Sequence, residues 1–212
     1  MTTALPPLAA PAPVLGFLLV HAALRRDVEE LARAAHAGQP LAERVRLLDR
    51  VVRAHHHGED HVLLPLLRSK EPSVRDIADA VEAQHVGLDD AFDGLRARIA
   101  DGAPVVDEVD ALSVALEDHL VLEETQLLPV WWASLSDREH ERFARRLRRA
   151  TPWRDIAVMV PWLIDAVPQP MRHEAESELP KPVRFAYRHG MRQRFERRWR
   201  IPGAAPVPVP SA

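Results

Sequence analysis

The chain has 212 residues, which suits one domain or one domain with an appendage. Its net charge of −3 gives no reason to expect nucleic acid as a partner, and 47% hydrophobic residues are enough for a buried core. The absence of cysteine excludes disulfides, zinc–thiolate sites, iron–sulfur clusters and a cysteine nucleophile. We expect a cytoplasmic protein, because the apolar run over residues 14–24 lacks the basic start of a signal peptide and is too short to span a membrane.

Four long helical patterns follow one another, each with apolar residues at steps of three and four. They cover residues 14–35, 41–62, 74–99 and 105–127, and the first ends at a Gly-Gln-Pro break at residues 38–40. Short loops between such helices favour antiparallel neighbours. The sequence therefore predicts an all-α fold, an up-down-up-down antiparallel four-helix bundle with extra C-terminal helices.

The pattern changes beyond residue 134. A Ser-Asp-Arg-Glu capping box at residues 136–139 predicts the start of a further helix, and another is expected shortly after it. We expect residues 1–134 to form the bundle and residues 135–167 to add helices that pack on it. Residues 168–212 are predicted to be a proline-rich linker, a basic helix and a disordered tail.

The basic segment at residues 184–200 interleaves arginines with aromatic side chains, a composition that suits an acidic partner, anionic lipid or nucleic acid. The chain as a whole is slightly acidic, so we favour a helix that docks on the bundle. The docking side would carry Phe185, Met191, Phe195 and Trp199.

Two segments repeat the pattern His-x3-Glu-[Asp/Glu]-x3-Leu-Pro. The second follows the first at an offset of 64 residues, and the same offset links two further histidines. All six repeated residues occupy helix positions where leucine or valine is expected, so the apolar seam should carry them into the core. The six candidate metal ligands are His21, His55, Glu59, His85, His119 and Glu123.

Histidine and glutamate four residues apart lie one above the other on a helix, with Cβ atoms roughly 6 Å apart. This arrangement suits a histidine nitrogen on one metal ion, with the carboxylate reaching the same ion or bridging to a second. Imidazole and carboxylate ligation with open positions favours redox iron over structural zinc, magnesium or calcium. The predicted cofactor is therefore a di-iron centre, bridged by an oxo or hydroxo group, with room for a small exogenous ligand.

Other residues near the motif left alternatives open. His56/Asp60 and His57/His61 also have the four-residue spacing, but they lie off the seam, so we interpret them as supporting or surface residues. Asp89 is either a further ligand or a surface acid. The remaining histidines, expected at the surface, are His36, His140, His173 and His189.

Trp131 and Trp132 follow the second motif and could line an access channel. We favour the alternative, in which the two indoles close the end of the bundle.

The combined pattern resembles that of the hemerythrin-like, HHE cation-binding family, and is most similar to the bacterial subgroup with His…His-x3-Glu…His…His-x3-Glu. The stretch His-His-His-Gly-Glu-Asp at residues 55–60, with Leu-Leu-Pro at 63–65, resembles the signature of that family's second helix. The resemblance covers about residues 14–131. It implies a four-helix bundle with a non-heme di-iron centre, in proteins that bind oxygen, sense oxygen or iron, handle nitric oxide or peroxide, or store iron.

The chain departs from the oxygen-carrying members in two ways. They use a fifth histidine one turn from that of the third helix, where this chain has Val81 and Asp89. They also place the last carboxylate at the position of Glu124, whereas the seam and the repeat favour Glu123. The missing fifth histidine leads us to expect reactivity with oxygen, peroxide or nitric oxide, as in an oxidoreductase, rather than reversible oxygen carriage. The alternatives are an iron or oxygen sensor, an iron store, and a structural bundle without a redox role.

Overall fold

The computed structural model describes residues 12–199 of the chain. Within that range every regular element is helical, which confirms the all-α prediction. The bundle consists of α1 (Ala12–His36), α2 (Ala42–Gly58), α3 (Leu64–Lys70), α4 (Arg75–Ala100), α5 (Val106–Leu122) and α6 (Leu128–Ser134). Helices α1 and α4 each contact both α2 and α5, so the four long helices close into a ring around one core.

Both ligand-bearing helices widen into one π-helical turn that begins at the repeated glutamate. These turns are Glu59–Leu63 and Glu123–Leu127, and in each the next backbone N–H donates to the glutamate carbonyl five residues back. Pro65 and Pro129 come directly after these donors. A proline has no N–H and its ring collides with the carbonyl four residues earlier, so a wider turn ahead of it removes the conflict. The matching prolines therefore belong to matching π-turns rather than to breaks in the helix.

The C-terminal helices lie against one side of the bundle. They are α7 (Asp137–Ala150), α8 (Trp153–Ala166), α9 (Arg172–Ser177), α10 (Lys181–Ala186) and α11 (Arg192–Arg198). Helix α7 begins at the predicted capping box and contacts α1 and the π-turn Glu59–Leu63, while α8 contacts α1 and α2. The indole Nε1 of Trp162 donates to Oδ2 of the buried Asp27 over 2.7 Å, which fixes α8 on α1.

The stretch expected as a linker contains a 3₁₀ turn, Gln169–Met171, and the short helix α9. Arg172 explains this difference, because its guanidinium donates to the backbone carbonyls of Asp165 and Val167 and ties the stretch to the end of α8. The contacts of Arg172 with α8 therefore order this segment, and the prolines that suggested a linker do not indicate those contacts.

The basic segment forms two helices, α10 and α11, separated by a kink at Gly190, where the backbone leaves the helical conformation. Met191 and Phe195 are buried, whereas Phe185 is 65% exposed, so the docking side begins later than we expected. The predicted disordered tail falls largely on residues 200–212, outside the described range. Among the helices that the structure describes, none is long and apolar enough to cross a membrane.

Candidate metal centre

The structure brings all six predicted ligands together in the middle of the bundle. Each of the four long helices contributes one histidine, and the π-turns Glu59–Leu63 and Glu123–Leu127 each begin with one of the glutamates. The most exposed of the six residues, His55, has 8% of its surface accessible. The seam of three- and four-residue steps accounts for this convergence, because it turns each of these positions toward the bundle axis.

The nitrogen and oxygen atoms of these residues form two overlapping donor groups. In each group one donor atom per residue lies within 4.8 Å of all the others. One group contains His21, His55, Glu59 and Glu123, and the other contains His56, Glu59, His85 and His119. Glu59 belongs to both groups, which is the position that a bridging carboxylate would need.

Glu123 also reaches toward both sides of the site. One of its oxygens, Oε2, lies 3.2 Å from Nε2 of His21 and 3.5 Å from Nε2 of His119. Its other oxygen lies 3.8 Å from Nε2 of His85. The two carboxylates therefore occupy the centre of the cluster, with imidazoles around them.

The inward-facing atoms of the cluster form no hydrogen bonds of accepted geometry among residues 12–199. This holds for both carboxylate oxygens of Glu59 and Glu123 and for Nε2 of His85 and His119, although all of them are buried. Imidazole nitrogens lie close by, with Nε2 of His55 3.1 Å from Glu59 and Nε2 of His21 3.2 Å from Glu123, but their orientation does not make a hydrogen bond. Unpartnered buried polar groups, and above all buried carboxylates, are costly unless something satisfies them. A cation coordinated by these atoms would do so, and imidazole nitrogens with carboxylate oxygens are a donor set typical of transition metals. The residues present therefore fit a metal site.

The outward-facing nitrogens, by contrast, are held by acids. Nδ1 of His85 lies 2.7 Å from Asp60, and Nδ1 of His21 lies 2.9 Å from Glu124. Each acid directly follows the glutamate of its own motif, but it contacts a histidine from the other half of the duplicated chain. Such contacts fix the ring orientation and the tautomer that leaves Nε2 free for a metal.

Two more polar side chains complete this outer layer. Arg25 donates to both carboxylate oxygens of Glu124, over 2.6 and 3.2 Å, and so holds the acid behind His21. Gln84 places its Oε1 atom 3.2 Å from Nδ1 of His119. Glu124 therefore supports a histidine from outside the cluster, while Glu123 faces inward.

The bundle consists of two helical hairpins, residues 12–70 and 75–134, and the pKa of each histidine depends on whether it lies on the first or the second long helix of its hairpin. Burial disfavours the charged form of His21 and His85, but neighbouring acids outweigh it, so the pKa of His21 is raised and that of His85 rises to about 9. Burial dominates at His55 and His119, on the second long helix of each hairpin. It lowers the pKa of His55 well below its ordinary value and that of His119 to about 4.

The two central carboxylates differ in the same way. Burial, reinforced by the charge of Glu123, raises the pKa of Glu59 well above its ordinary value. Burial acts on Glu123 too, but His21 and His85 outweigh it, so the pKa of Glu123 lies well below its ordinary value. The protein environment thus favours the neutral form of Glu59 and the charged form of Glu123.

His56 is the residue whose position the sequence analysis missed. We interpreted it as a supporting or surface residue, but it is 4% exposed and belongs to one of the two donor groups. It lies one position beyond the seam, and α2 is covered by α1, α4 and α8, so a wider arc of this helix is buried than its seam indicates. The missed signal is the run of three histidines beginning at His55. His57 and His61 are exposed.

The structure also shows where Asp89 and His140 lie. Asp89 belongs to neither donor group; its Oδ2 lies 2.9 Å from Arg53. His140, expected at the surface, is buried, because α7 packs its ring beside that of Trp131.

Aromatic side chains close one end of the site. The ring of Phe17 lies 4.1 Å from that of His21 and 5.2 Å from that of His55, measured between centroids. Trp131 is fully buried behind Phe17, with its ring centroid 5.4 Å away, while Trp132 is partly exposed. This apolar wall shields the cluster from water on that side.

Comparison with known proteins points to one family. A family model described as "Hemerythrin HHE cation binding domain" matches residues 16–131. The chain is 26% identical over 188 residues to the zinc finger protein BRUTUS of Arabidopsis thaliana, a match that covers 81% of this chain and 15% of that protein. A BRUTUS-like zinc finger protein of the same plant is also 26% identical over 188 residues, with 78% and 15% covered. The chain thus spans only about 15% of the length of these relatives. No solved structure matches it.

Proposed function

Because the chain belongs to the hemerythrin family of HHE cation-binding domains, we propose that it is a non-heme di-iron protein that binds or reacts with oxygen, peroxide or nitric oxide. The observation that carries this proposal is the set of buried, inward-facing nitrogen and oxygen atoms without hydrogen-bond partners in the described part of the chain. Two donor groups that share Glu59 fit two adjacent metal ions better than one.

In this proposal the four predicted histidines would hold the metal ions as terminal ligands, and Glu59 and Glu123 would be shared between the two positions. Bound iron would supply redox chemistry and open coordination positions for the small molecule. The two glutamates balance the charge of the cations in an apolar core. Asp60 and Glu124 hold the Nδ1 protons of their histidines, so each imidazole keeps the tautomer that binds through Nε2.

The surrounding side chains set access and polarity. Phe17 and Trp131 exclude water from one end of the cluster. Among residues 12–199 no hydroxyl or amine donates a hydrogen bond to the carboxylate oxygens of Glu59 or Glu123. Reactivity would therefore depend on the metal, with the protein fixing its ligands and its surroundings.

The experiment that tests the proposal is the metal content of the anaerobically purified protein. We expect about two irons per chain, in keeping with the two donor groups. The Glu59→Ala variant should lose this iron, whereas the exposed His36→Gln variant should retain it. One zinc per chain, or no metal after iron-replete expression, would contradict the proposal.

If iron is present, the same preparation separates the kinds of chemistry. Addition of peroxide, oxygen or nitric oxide should change the near-ultraviolet and visible absorption of the loaded protein. Oxygen evolution from peroxide that is abolished in Glu59→Ala would identify peroxide as a substrate. An absorption spectrum that responds to none of the three ligands would contradict the proposed binding of, or reaction with, these small molecules and would leave metal storage as the function.

A further inference from the structure

His56 is the one buried histidine at the centre of the bundle that the repeated motif does not explain. Its ring stacks on that of His85, with 3.8 Å between centroids and 12° between planes, and meets the ring of His119 edge-on at 5.0 Å. Both of its ring nitrogens are buried without a hydrogen-bond partner among residues 12–199.

Packing explains where this ring lies but not why it is polar. In the second half of the duplicated unit, 64 residues later, the equivalent position is Leu120, which is also fully buried. A leucine fills such a position without leaving a polar atom unsatisfied. A histidine there is costly unless its nitrogen has a partner, and a donor atom of His56 lies within 4.8 Å of those of Glu59, His85 and His119.

We propose that His56 is a fifth imidazole ligand, and that it binds the metal position formed by Glu59, His85 and His119. The proposal rests on the proposed function and specifies its ligand set. The chain lacks a histidine one turn from His85 on α4, and His56 supplies a fifth imidazole from α2 instead.

A fifth imidazole makes the two metal positions unequal. The position that includes His56 has three imidazoles, whereas the position that includes His21 and His55 has two. More neutral nitrogen ligands favour a late first-row divalent metal, so the three-imidazole position should fill first. Without His56 the two positions would have two imidazoles each and nearly equal affinities.

The test is an anaerobic titration of the metal-free protein with Co²⁺, whose visible absorption reports its ligands. We expect two unequal binding steps in the natural protein. In His56→Leu the tighter step should weaken by at least about tenfold and its absorption should change. The substitution copies Leu120 of the other half, so the helix should tolerate it, and His57→Leu serves as an exposed control next in sequence.

A second variant separates ligation from packing. His56→Phe keeps an aromatic ring against His85 but removes both nitrogens, so it should lose the tighter step as His56→Leu does. Wild-type affinity and absorption in His56→Phe would overturn the proposal, as would two unchanged steps in His56→Leu. If the natural protein binds neither Co²⁺ nor Fe²⁺, the proposed function fails and this inference fails with it. If the natural protein binds metal and the His56 variants bind it with the same affinity, the inference fails and the proposed function stands.

Discussion

The two helical hairpins of the bundle, residues 12–70 and 75–134, build the same half-site in the same way. Each places one histidine on its first helix and a His-x3-Glu pair on its second, and each then widens into a π-turn before a proline. Each also directs the acid after its glutamate at a histidine of the other hairpin. What the halves share is therefore the inner ligand set and the way its rings are held.

The hairpins differ in what surrounds this common set. The first hairpin has His56 where the second has Leu120. The acid of the second hairpin, Glu124, is clamped by Arg25 and its side chain is 5% exposed, whereas that of Asp60 is 32% exposed. The difference teaches that the repeated positions set the inner ligands, while the side chains around them make the two sides chemically unequal.

The largest effect should come from removing what the hairpins share. In a variant with both Glu59→Leu and Glu123→Leu we expect metal binding to be lost. Fe²⁺ should raise the free energy of unfolding of the natural protein, by about 2.7 kcal/mol at 100 times its dissociation constant, and should leave that of the variant unchanged, because a metal stabilises only the protein that binds it. Urea unfolding of both proteins, with and without Fe²⁺, measures this. A variant that still gains stability from iron would show that the two glutamates are not the bridge.

The unequal acids give the next largest effect. Glu124→Ala leaves the Nδ1 atom of His21 and the guanidinium of Arg25 without their buried partner, so metal affinity should fall by about 10–100-fold. Asp60→Ala should cost less, about tenfold at most, because water can reach Nδ1 of His85 in place of a half-exposed carboxylate. Competition with a chelator of known affinity measures both. Equal losses would mean that the halves support their histidines equally.

Loading at pH 7 should release protons, since metal ligands must be deprotonated. His85, with a pKa of about 9, carries a proton at pH 7 in the metal-free protein, and the raised pKa values of His21 and Glu59 act in the same direction. His119, with a pKa of about 4, releases none. Affinity should therefore rise as pH increases up to about 9. Calorimetric titration in two buffers of different ionisation enthalpy counts the protons, and a count of zero would contradict the expected charge states.

The smallest effect concerns Gly58, which has Leu122 as its equivalent. A Cβ atom at Gly58 would lie 2.8 Å from Cδ1 of Leu147 on α7, whereas one at Gly87 on α4 meets nothing within 4 Å. Gly87→Ala should stabilise the fold by about 0.5–1 kcal/mol through helix propensity. Gly58→Ala should lose that gain and cost about 1 kcal/mol, because Leu147 must move. Thermal unfolding compares the stability of the two variants. Equal stabilisation by both substitutions would show that Leu147 on α7 moves aside at no cost in free energy.

The sequence was sufficient for the bundle and for the convergence of the repeated residues, because both depend on one periodicity. The steps of three and four residues determine which side of a helix faces the axis, and His21 and His85 lie on that side. The equal offset of 64 residues then predicted that the two His-x3-Glu pairs meet. The ligand roles of these residues stay a prediction.

What periodicity did not predict depends on contacts between distant elements. His56 is buried because α2 has three helical neighbours, and His140 because α7 covers Trp131. The helix in the expected linker depends on Arg172 binding carbonyls of α8. Each of these outcomes depends on which element lies beside another, and a pattern along one helix does not contain that information.

The crossed contacts between the hairpins have a consequence for the integrity of the site. Neither hairpin holds a complete donor group: residues 12–70 supply three of the four residues of one group and two of the four of the other, and residues 75–134 supply the rest. The acid that each hairpin carries is aimed at a ring of the other hairpin. The site therefore exists only while the two hairpins stay docked, and the short segment around Pro72–Val74 joins them as a linker would join two subunits.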